Sequence, residues 1–255
     1  MKNKKILLLF LILIIGVITY FYIKNLSLNS NNQRQKNIKT IFSIDKITYF
    51  SSANAEIEVS NNTKFNNLIQ FTDIALFINN KNSSEIFTEE NTLKELYISN
   101  IKFDALPSLG KPNLFYKNLN DFATNKYNKE KEVKDNFSFA ISDKEEIDYN
   151  LPVLFNNCAN PITLCYVNSN IIDSYSISNS NNSFSYDGSL LKHCNILLSS
   201  IKCNMNFDIF LINNLNQKFK TNIKIDIPLQ DDSSSLYKGN IILEENVNFV
   251  FENVV

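Results

Sequence analysis

The feature that most constrains the fold is an alternation of apolar and polar residues in the C-terminal half of the chain. In 219–227 (FKTNIKIDI), Phe, Thr and Ile alternate with Lys, Asn and Asp, and 203–211 (CNMNFDIFL) follows the same rule. Successive side chains of a strand point to opposite faces of a sheet, so this period of two buries one face and exposes the other. Shorter alternations occur at 56–59, 137–141 and 247–251. The sequence predicts an all-β domain of antiparallel strands.

The number of β domains is open at this stage. Strands with one buried face are typical of an antiparallel β-sandwich, in which two sheets pack face to face. The segment 73–80 (DIALFINN) is similar to 208–214 (DIFLINN) with one residue deleted, as a duplicated module would produce. We therefore expect either one large sandwich or two Ig-like sandwiches in tandem, with a boundary near the charged stretch 125–149.

An uncharged apolar run near the N-terminus predicts a membrane anchor. Residues 6–23 (ILLLFLILIIGVITYFYI) contain no charge, and a helix of this length spans roughly 27 Å, enough for a bilayer core. The run is longer than the apolar region of a cleaved signal peptide and lacks a small-residue cleavage pattern, which favours retention as a signal-anchor. We divide the chain into a cytoplasmic tail (1–5), a transmembrane helix (6–23), a polar stalk (24–37) and an extracytoplasmic β region (38–255).

The orientation follows from the size of the flanking segments. Lysines flank both ends of the apolar run, so positive charge alone does not orient the helix. A tail of five residues is easily left in the cytoplasm, whereas a long following domain is translocated largely regardless of its charge. We expect a single-pass protein of the cell membrane that contacts the lipid bilayer through residues 6–23 and carries its C-terminal domain outside.

The composition excludes one class of partner and indicates the type of source. The net charge of −1 offers no basic surface for nucleic acid. The chain is rich in Lys, Asn and Ile, whose codons are AT-rich, and it has only four glycines and no tryptophan. This bias indicates an AT-rich genome, most simply that of a bacterium.

The cysteines offer two interpretations. They are Cys158, Cys165, Cys194 and Cys203. An even number in an exported domain favours up to two disulfides. Cys194 and Cys203 would face each other across a hairpin with loop 197–200, and Cys158 and Cys165 are near enough along the chain to close a small loop. The alternative is that they are buried free thiols acting as small apolar side chains.

No residue pattern predicts catalysis. His193 is the only histidine, and its neighbour Cys194 would point to the opposite face of a strand, so the two could not act as a base and a nucleophile. We interpret Asp187-Gly188 just upstream as the turn of a surface hairpin. The chain has no phosphate-binding glycine loop and no metal-ligand spacing of Cys and His. We expect no catalytic residue, no cofactor and no metal.

The resulting hypothesis is a non-catalytic binding or adhesion module on the cell surface, whose partner is a protein or a glycan. The segment 106–116 (LPSLGKPNLFY) is apolar and interrupted by prolines, and we expect a binding loop there that presents Leu114, Phe115 and Tyr116. One alternative is a structural or accessory subunit of an envelope or secretion assembly that adds strands at a sheet edge. A cell-surface enzyme is a remote alternative.

Overall fold

The structure is a computed structural model that describes Tyr20, Lys24 and residues 41–80, 89–90, 92–139, 160–178, 183–229 and 235–254. Residues Ile41–Val254 form one compact unit. Its secondary structure is dominated by antiparallel strands in two sheets. The predicted all-β class is therefore confirmed.

Sheet A has five strands in the order β4-β6-β2-β1-β9. They are β1 (Phe42–Val59), β2 (Asn62–Asn80), β4 (Lys111–Tyr116), β6 (Asn160–Ser178) and β9 (Ile241–Val250). The three central strands are long, and β2 pairs with β6 from Asn62↔Ser178 to Ile78↔Asn160. Strand β4 at one edge and β9 at the other are shorter, so the middle of the sheet extends beyond its edges.

Sheet B also has five strands, in the order β10-β8-β7-β3-β5. They are β3 (Leu93–Ala105), β5 (Phe137–Phe139), β7 (Asn204–Asn213), β8 (Lys218–Asp226) and β10 (Glu252–Asn253). The short helices among the described residues are α1 (Ser189–His193) and three 3₁₀ turns at Leu119–Asp121, Leu198–Ser200 and Leu236–Lys238. Both sheets contain strands from either side of the stretch 125–149.

The alternation in the sequence fixes which side chains enter the core. In β8, Phe219, Ile223 and Ile225 are buried, while Asn222 and Lys224 between them are exposed. The ring of Phe219 makes an edge contact with Phe42 of β1, with the centroids 5.6 Å apart. A buried face of sheet B thus contacts sheet A, an arrangement consistent with a β-sandwich.

The predicted anchor falls almost entirely outside the described part of the chain. Of residues 6–23, the structure describes only Tyr20, and of the stalk 24–37 only Lys24. Within the described ranges, no helix combines the length and the apolar character needed to cross a bilayer. The transmembrane helix, the tail and the stalk remain predictions.

Asparagine takes the place of glycine at left-handed positions in this glycine-poor chain. The non-glycine residues with positive φ are Asn67, Asn100, Ala123, Asn136, Asn170, Asn195 and Asn216. Asparagine tolerates this conformation because its short amide hydrogen-bonds to the local backbone. Ala123 is the exception, since a residue with a Cβ and no such amide is strained there.

Candidate functional site

The candidate site lies on the outer face of sheet A. Cys165 and Tyr166 are consecutive in β6 and therefore point to opposite faces. The ring of Tyr166 lies 6.4 Å from that of Phe103 in sheet B, so Cys165 points away from sheet B. Its cross-strand neighbours on this outer face are Asp73 in β2 and Phe115 in β4.

The segment after β4 packs on this outer face, and a buried ion pair between Lys117 and Asp73 holds it there. The ammonium group of Lys117 lies 2.7 Å from both carboxylate oxygens of Asp73, and neither side chain is exposed to solvent. The same ammonium donates to the carbonyl oxygen of Thr124 at 2.7 Å. The backbone N–H of Ala123 donates to Asp73 Oδ2 at 2.8 Å. A buried charge is tolerated only when it is paired and hydrogen-bonded, and these contacts meet that demand.

The surroundings of the pair are apolar. Phe50, Phe71 and Val167 are buried together with Cys165, and Phe115, Phe122 and Tyr127 pack against them. Burial raises the pKa of Asp73 above its usual range, although the nearby Lys117 acts to lower it. Burial also raises the pKa of the Cys165 thiol, with a further contribution from the Asp73 charge. The thiol is thus a protonated neighbour of the carboxyl group, not a thiolate nucleophile.

Two adjoining cavities open beside this cluster, of about 420 Å³ and about 290 Å³. Together they form a surface that we call the amide groove. It is lined by Asn54, Ala55, Glu56, Asn67, Ile69, Asn113, Phe115, Asn125, Tyr127, Lys129, Glu132, Val167, Ser169 and Asn170. Tyr127, Lys129 and Ser169 line both cavities and join them. Their volumes are in the range of small-ligand pockets, roughly 300–1,000 Å³.

Irregular pairing in three neighbouring strands shapes the groove. The register between β1 and β2 shifts between Asn54 and Glu56, and that between β2 and β6 shifts between Leu68 and Gln70. Asn67 in β2 and Asn170 in β6 both have left-handed backbones, with φ of 52° and 55°. Bulges bend a strand and re-aim its side chains, and they occur often beside functional sites. The aligned irregularities bring three amide side chains from separate strands to one surface.

The lining of the groove contains a higher proportion of asparagine than the whole chain, which is itself rich in asparagine. Five of its 14 lining residues are asparagine, compared with 42 of 255 in the whole chain. The rings of Phe115 and Tyr127 lie 5.0 Å apart and give the groove an aromatic wall. Burial raises the pKa of Tyr127, so its hydroxyl group stays protonated and can donate a hydrogen bond. Two carboxylates and one ammonium leave the lining almost neutral.

The predicted binding loop is a strand. Leu114, Phe115 and Tyr116 belong to β4 and pair with Tyr166, Cys165 and Leu164 of β6. Pro112 is tolerated because an edge strand loses little when one N–H is missing. Leu114 is buried, and the ring of Tyr116 packs against Phe137 and Phe139. Only Phe115 lines the groove, and a role of the trio in binding stays a prediction.

The described cysteines, Cys165, Cys194 and Cys203, are buried free thiols. The hairpin that would have placed Cys194 opposite Cys203 does not form, because helix α1 ends at His193 and a 3₁₀ turn occupies Leu198–Ser200. Burial raises the pKa of Cys194 to about 11. Cys158 lies outside the described residues, so its pairing with Cys165 remains a prediction.

The Asp187-Gly188 hairpin turn is also wrong, because these residues open helix α1. The Asp187 carboxylate accepts a hydrogen bond from the backbone N–H of Ser189 at 2.9 Å. A Cβ on Gly188 would come within 2.3 Å of the carbonyl oxygens of Leu236 and Gly239, so only glycine fits. His193 at the end of the helix makes an edge contact with the ring of Phe184 at 5.0 Å. It is a half-buried packing residue, and it does not line the groove.

The residues that sequence reasoning missed include both members of the buried pair. Asp73 is the only charged residue between Lys64 and Lys81, inside an apolar strand. A lone charge in such a segment must find a partner, and this signal could have identified Asp73 but not Lys117.

Among the residues that the structure describes, no group of three or more His, Cys, Asp or Glu side chains could hold a metal ion. Comparisons of the chain with protein-family models, curated proteins and solved structures found no match.

Proposed function

We propose that the protein is a non-catalytic binding module on the outer surface of the cell membrane, and that its amide groove binds a neutral carbohydrate. The observation that carries this proposal is the lining of the groove, which combines five asparagine amides with an aromatic wall. An amide both donates and accepts hydrogen bonds, so it matches the hydroxyl groups of a sugar. An aromatic ring offers a flat apolar surface for the C–H face of the same sugar ring.

The charges in the groove favour a neutral ligand. Glu56 lines one cavity, Glu132 lines the other, and Lys129 lines both. A phosphate or a nucleic acid is attracted by clustered cations, which this lining does not supply. Carboxylates accept hydrogen bonds from sugar hydroxyl groups and therefore suit a carbohydrate.

The place of the module in the cell rests on the predicted anchor. An apolar helix at 6–23 and the polar stalk at 24–37 would hold the β unit outside the membrane, within reach of glycans of the envelope or of another cell. Protease treatment of intact cells tests this arrangement. Digestion of the β unit without cell lysis is the expected result, and complete protection contradicts the proposal.

The binding test is a screen of the purified protein against immobilised neutral glycans, followed by calorimetric titration of the best ligand. Asn67→Gly and Asn170→Gly remove an amide from the groove while glycine keeps the left-handed backbone. Each lost hydrogen bond is worth about 1 kcal/mol, so we expect roughly fivefold weaker binding. Tyr127→Ala removes part of the aromatic wall, and we expect a larger loss.

The matched control is Asn216→Gly, which makes the same substitution at a left-handed position outside the groove. It should bind like the unchanged protein. If the Asn67→Gly, Asn170→Gly and Tyr127→Ala variants all bound the glycan as tightly as the unchanged protein does, the groove would be refuted as the binding site. Release of a cleaved sugar would refute its non-catalytic nature.

A second candidate function is that of an assembly subunit, and one observation favours it. Strand β9 is at the edge of sheet A and pairs with β1, and its Ile242 side chain is 71% exposed. An edge strand can pair with a strand from another chain. Sedimentation of the purified protein tests this function: a concentration-dependent oligomer that Ile242→Lys dissociates supports it, and a monomer at all concentrations contradicts it.

A further inference from the structure

We propose that Lys117 and Asp73 form an intramolecular isopeptide bond between the Lys117 side-chain nitrogen and the Asp73 side-chain carbonyl carbon. This covalent cross-link lies beneath the segment that follows β4 and goes beyond the proposed binding function.

The two groups are in direct contact. Lys117 Nζ is 2.7 Å from both Oδ1 and Oδ2 of Asp73, so it lies directly beside the carbon that bears them. Both side chains are completely buried, and their hydrogen bonds fix their orientation. Holding two reacting groups in such a position replaces an encounter in solution by a step within one molecule and removes much of its entropic barrier.

The apolar surroundings favour the uncharged forms that can react. Phe50 and Phe71 are buried beside the pair, and Phe115 and Phe122 pack over them. In such a medium, proton transfer from the ammonium to the carboxylate produces a neutral amine and a neutral acid and removes both buried charges. Burial raises the pKa of Asp73, in agreement with this transfer.

The reaction is a condensation that needs no oxidant, no reductant and no cofactor. The lone pair of the neutral Lys117 amine attacks the Asp73 carbonyl carbon, and a carbon–nitrogen bond forms. The carbon–oxygen bond to the hydroxyl group then breaks, and this hydroxyl leaves as water with a proton from the nitrogen. The product is a secondary amide and one water molecule.

Neighbouring groups are placed to assist these steps. The N–H of Ala123 donates to Asp73 Oδ2, where negative charge develops as the nitrogen attacks. The carbonyl oxygen of Thr124 accepts a hydrogen bond from Lys117 Nζ and orients it. Ala123 adopts a left-handed backbone, with φ of 61°, that is unfavourable for alanine. Such strain is found where the structure requires one particular orientation, here that of the Ala123 N–H toward Asp73.

The position of the bond in the fold gives it a mechanical role. Lys117 directly follows edge strand β4, while Asp73 is in β2, and β6 lies between these two strands. The bond would link the edge of sheet A covalently to its central strand β2. It would also close a loop between two residues that are 44 positions apart in the sequence. Under the proposed function, one end of the module is held by the membrane anchor and its groove is bound to an immobile glycan. A force between these two points pulls on the module, and a cross-link resists that force.

Mass spectrometry of tryptic peptides from the full chain tests the bond directly. An acylated Lys117 is not cleaved by trypsin, and neither is the Lys111-Pro112 bond. The cross-linked chain therefore yields one branched peptide, residues 65–81 joined to residues 103–126, lighter than the sum of the two by one water. The separate peptides 65–81 and 103–117 should be absent.

Two variants serve as controls. Lys117→Arg keeps the positive charge but offers no nucleophilic amine, and Asp73→Ala removes the carbon that is attacked. Both should lack the branched peptide and give peptide 103–117 in its free form. Recovery of free 65–81 and 103–117 from the unchanged chain, with no branched peptide, would overturn the proposal. The decision rests on the unchanged chain, so it does not depend on the folding of either variant.

Discussion

An Asp–Lys pair lies at each of the two sheets, and the two pairs behave differently. Asp73 of sheet A and Lys117, which follows strand β4, are 2.7 Å apart, and neither side chain is exposed. Asp208 and Lys220 of sheet B are 2.8 Å apart; the Asp208 side chain is only 7% exposed, but 39% of the Lys220 side chain is exposed. The pKa of Asp73 is raised, whereas the pKa of Asp208 is lowered.

The difference in pKa follows from burial and not from the contact distance. For both aspartates burial is the largest influence and raises the pKa. At Asp208 this influence is outweighed by hydrogen bonds from Lys220, Asn222 and Asn100, with donor distances of 2.8, 2.9 and 2.6 Å. At Asp73 the contacts are equally short, but the effect of complete burial, which raises the pKa, is larger than the effect of Lys117, which lowers it. Ion pairing thus stabilises the Asp208 carboxylate, whose partner ammonium reaches solvent, and only partly compensates for the burial of Asp73, whose partner does not.

The largest expected effect is that of removing one partner from the buried pair. Lys117→Met leaves the Asp73 carboxylate without its counter-charge in an apolar site, and we expect the free energy of unfolding to fall by about 3–5 kcal/mol. Urea unfolding at neutral pH measures this loss. A cross-linked pair would lose still more, because the unfolded chain would also gain freedom.

The matched control for Lys117→Met is the double variant Asp73→Leu, Lys117→Met. It replaces both charges by apolar side chains of similar size, so it should regain the stability that the single variant loses through the unpaired Asp73 charge, but not any contribution of the cross-link. A double variant as unstable as the single one would show that the charge left behind is not the cause.

The second prediction concerns the pH dependence of the Asp208–Lys220 pair. Since the pKa of Asp208 is lower in the folded state than in the unfolded state, the folded state binds its proton less readily. Its contribution to stability is therefore complete above the unfolded pKa of about 4 and is lost as the pH falls through the lower folded pKa. Asp208→Asn should cost about 1–2 kcal/mol at pH 7 and progressively less in acid.

The measurement is urea unfolding of both proteins from pH 7 down to about pH 2, where carboxylates of ordinary pKa are protonated. Other carboxyl groups titrate in both proteins, so the difference between the two curves isolates Asp208. A difference that stays constant over this range would show that its ionisation does not stabilise the fold.

The parts of the fold that the sequence revealed are those determined by local alternation. Strand β8 has its buried face at Phe219, Ile223 and Ile225, as the period of two predicts. Alternate residues of a strand point to opposite faces, so the face of each residue follows from the local sequence alone. The proline-interrupted segment of β4 was misjudged because its pairing with β6 depends on residues some 50 positions away. Asp187-Gly188 precedes a helix instead of forming a hairpin turn, and the glycine is needed there because of the nearby backbone of Leu236 and Gly239, which is also a non-local contact.

The groove and the buried pair were hidden for a related reason. Asn54, Asn67 and Asn170 come from three strands and meet only when the register of all three is known. In a chain with 42 asparagines, no single one is conspicuous. Lys117 resembles any other lysine in the sequence, and only the fold shows that its side chain is fully buried beside Asp73.

The smallest expected effect is that of removing the partly exposed lysine from the Asp208–Lys220 pair. Lys220→Met leaves Asp208 with the amides of Asn100 and Asn222, and water can replace the ammonium, so the loss should be no more than about 1 kcal/mol. Added salt should reduce this loss further, because salt ions screen the partly exposed Lys220 ammonium. Urea unfolding at low and high salt measures both effects. A loss as large as that of Lys117→Met would mean that burial does not separate the two pairs, and the difference between the aspartates would need another cause.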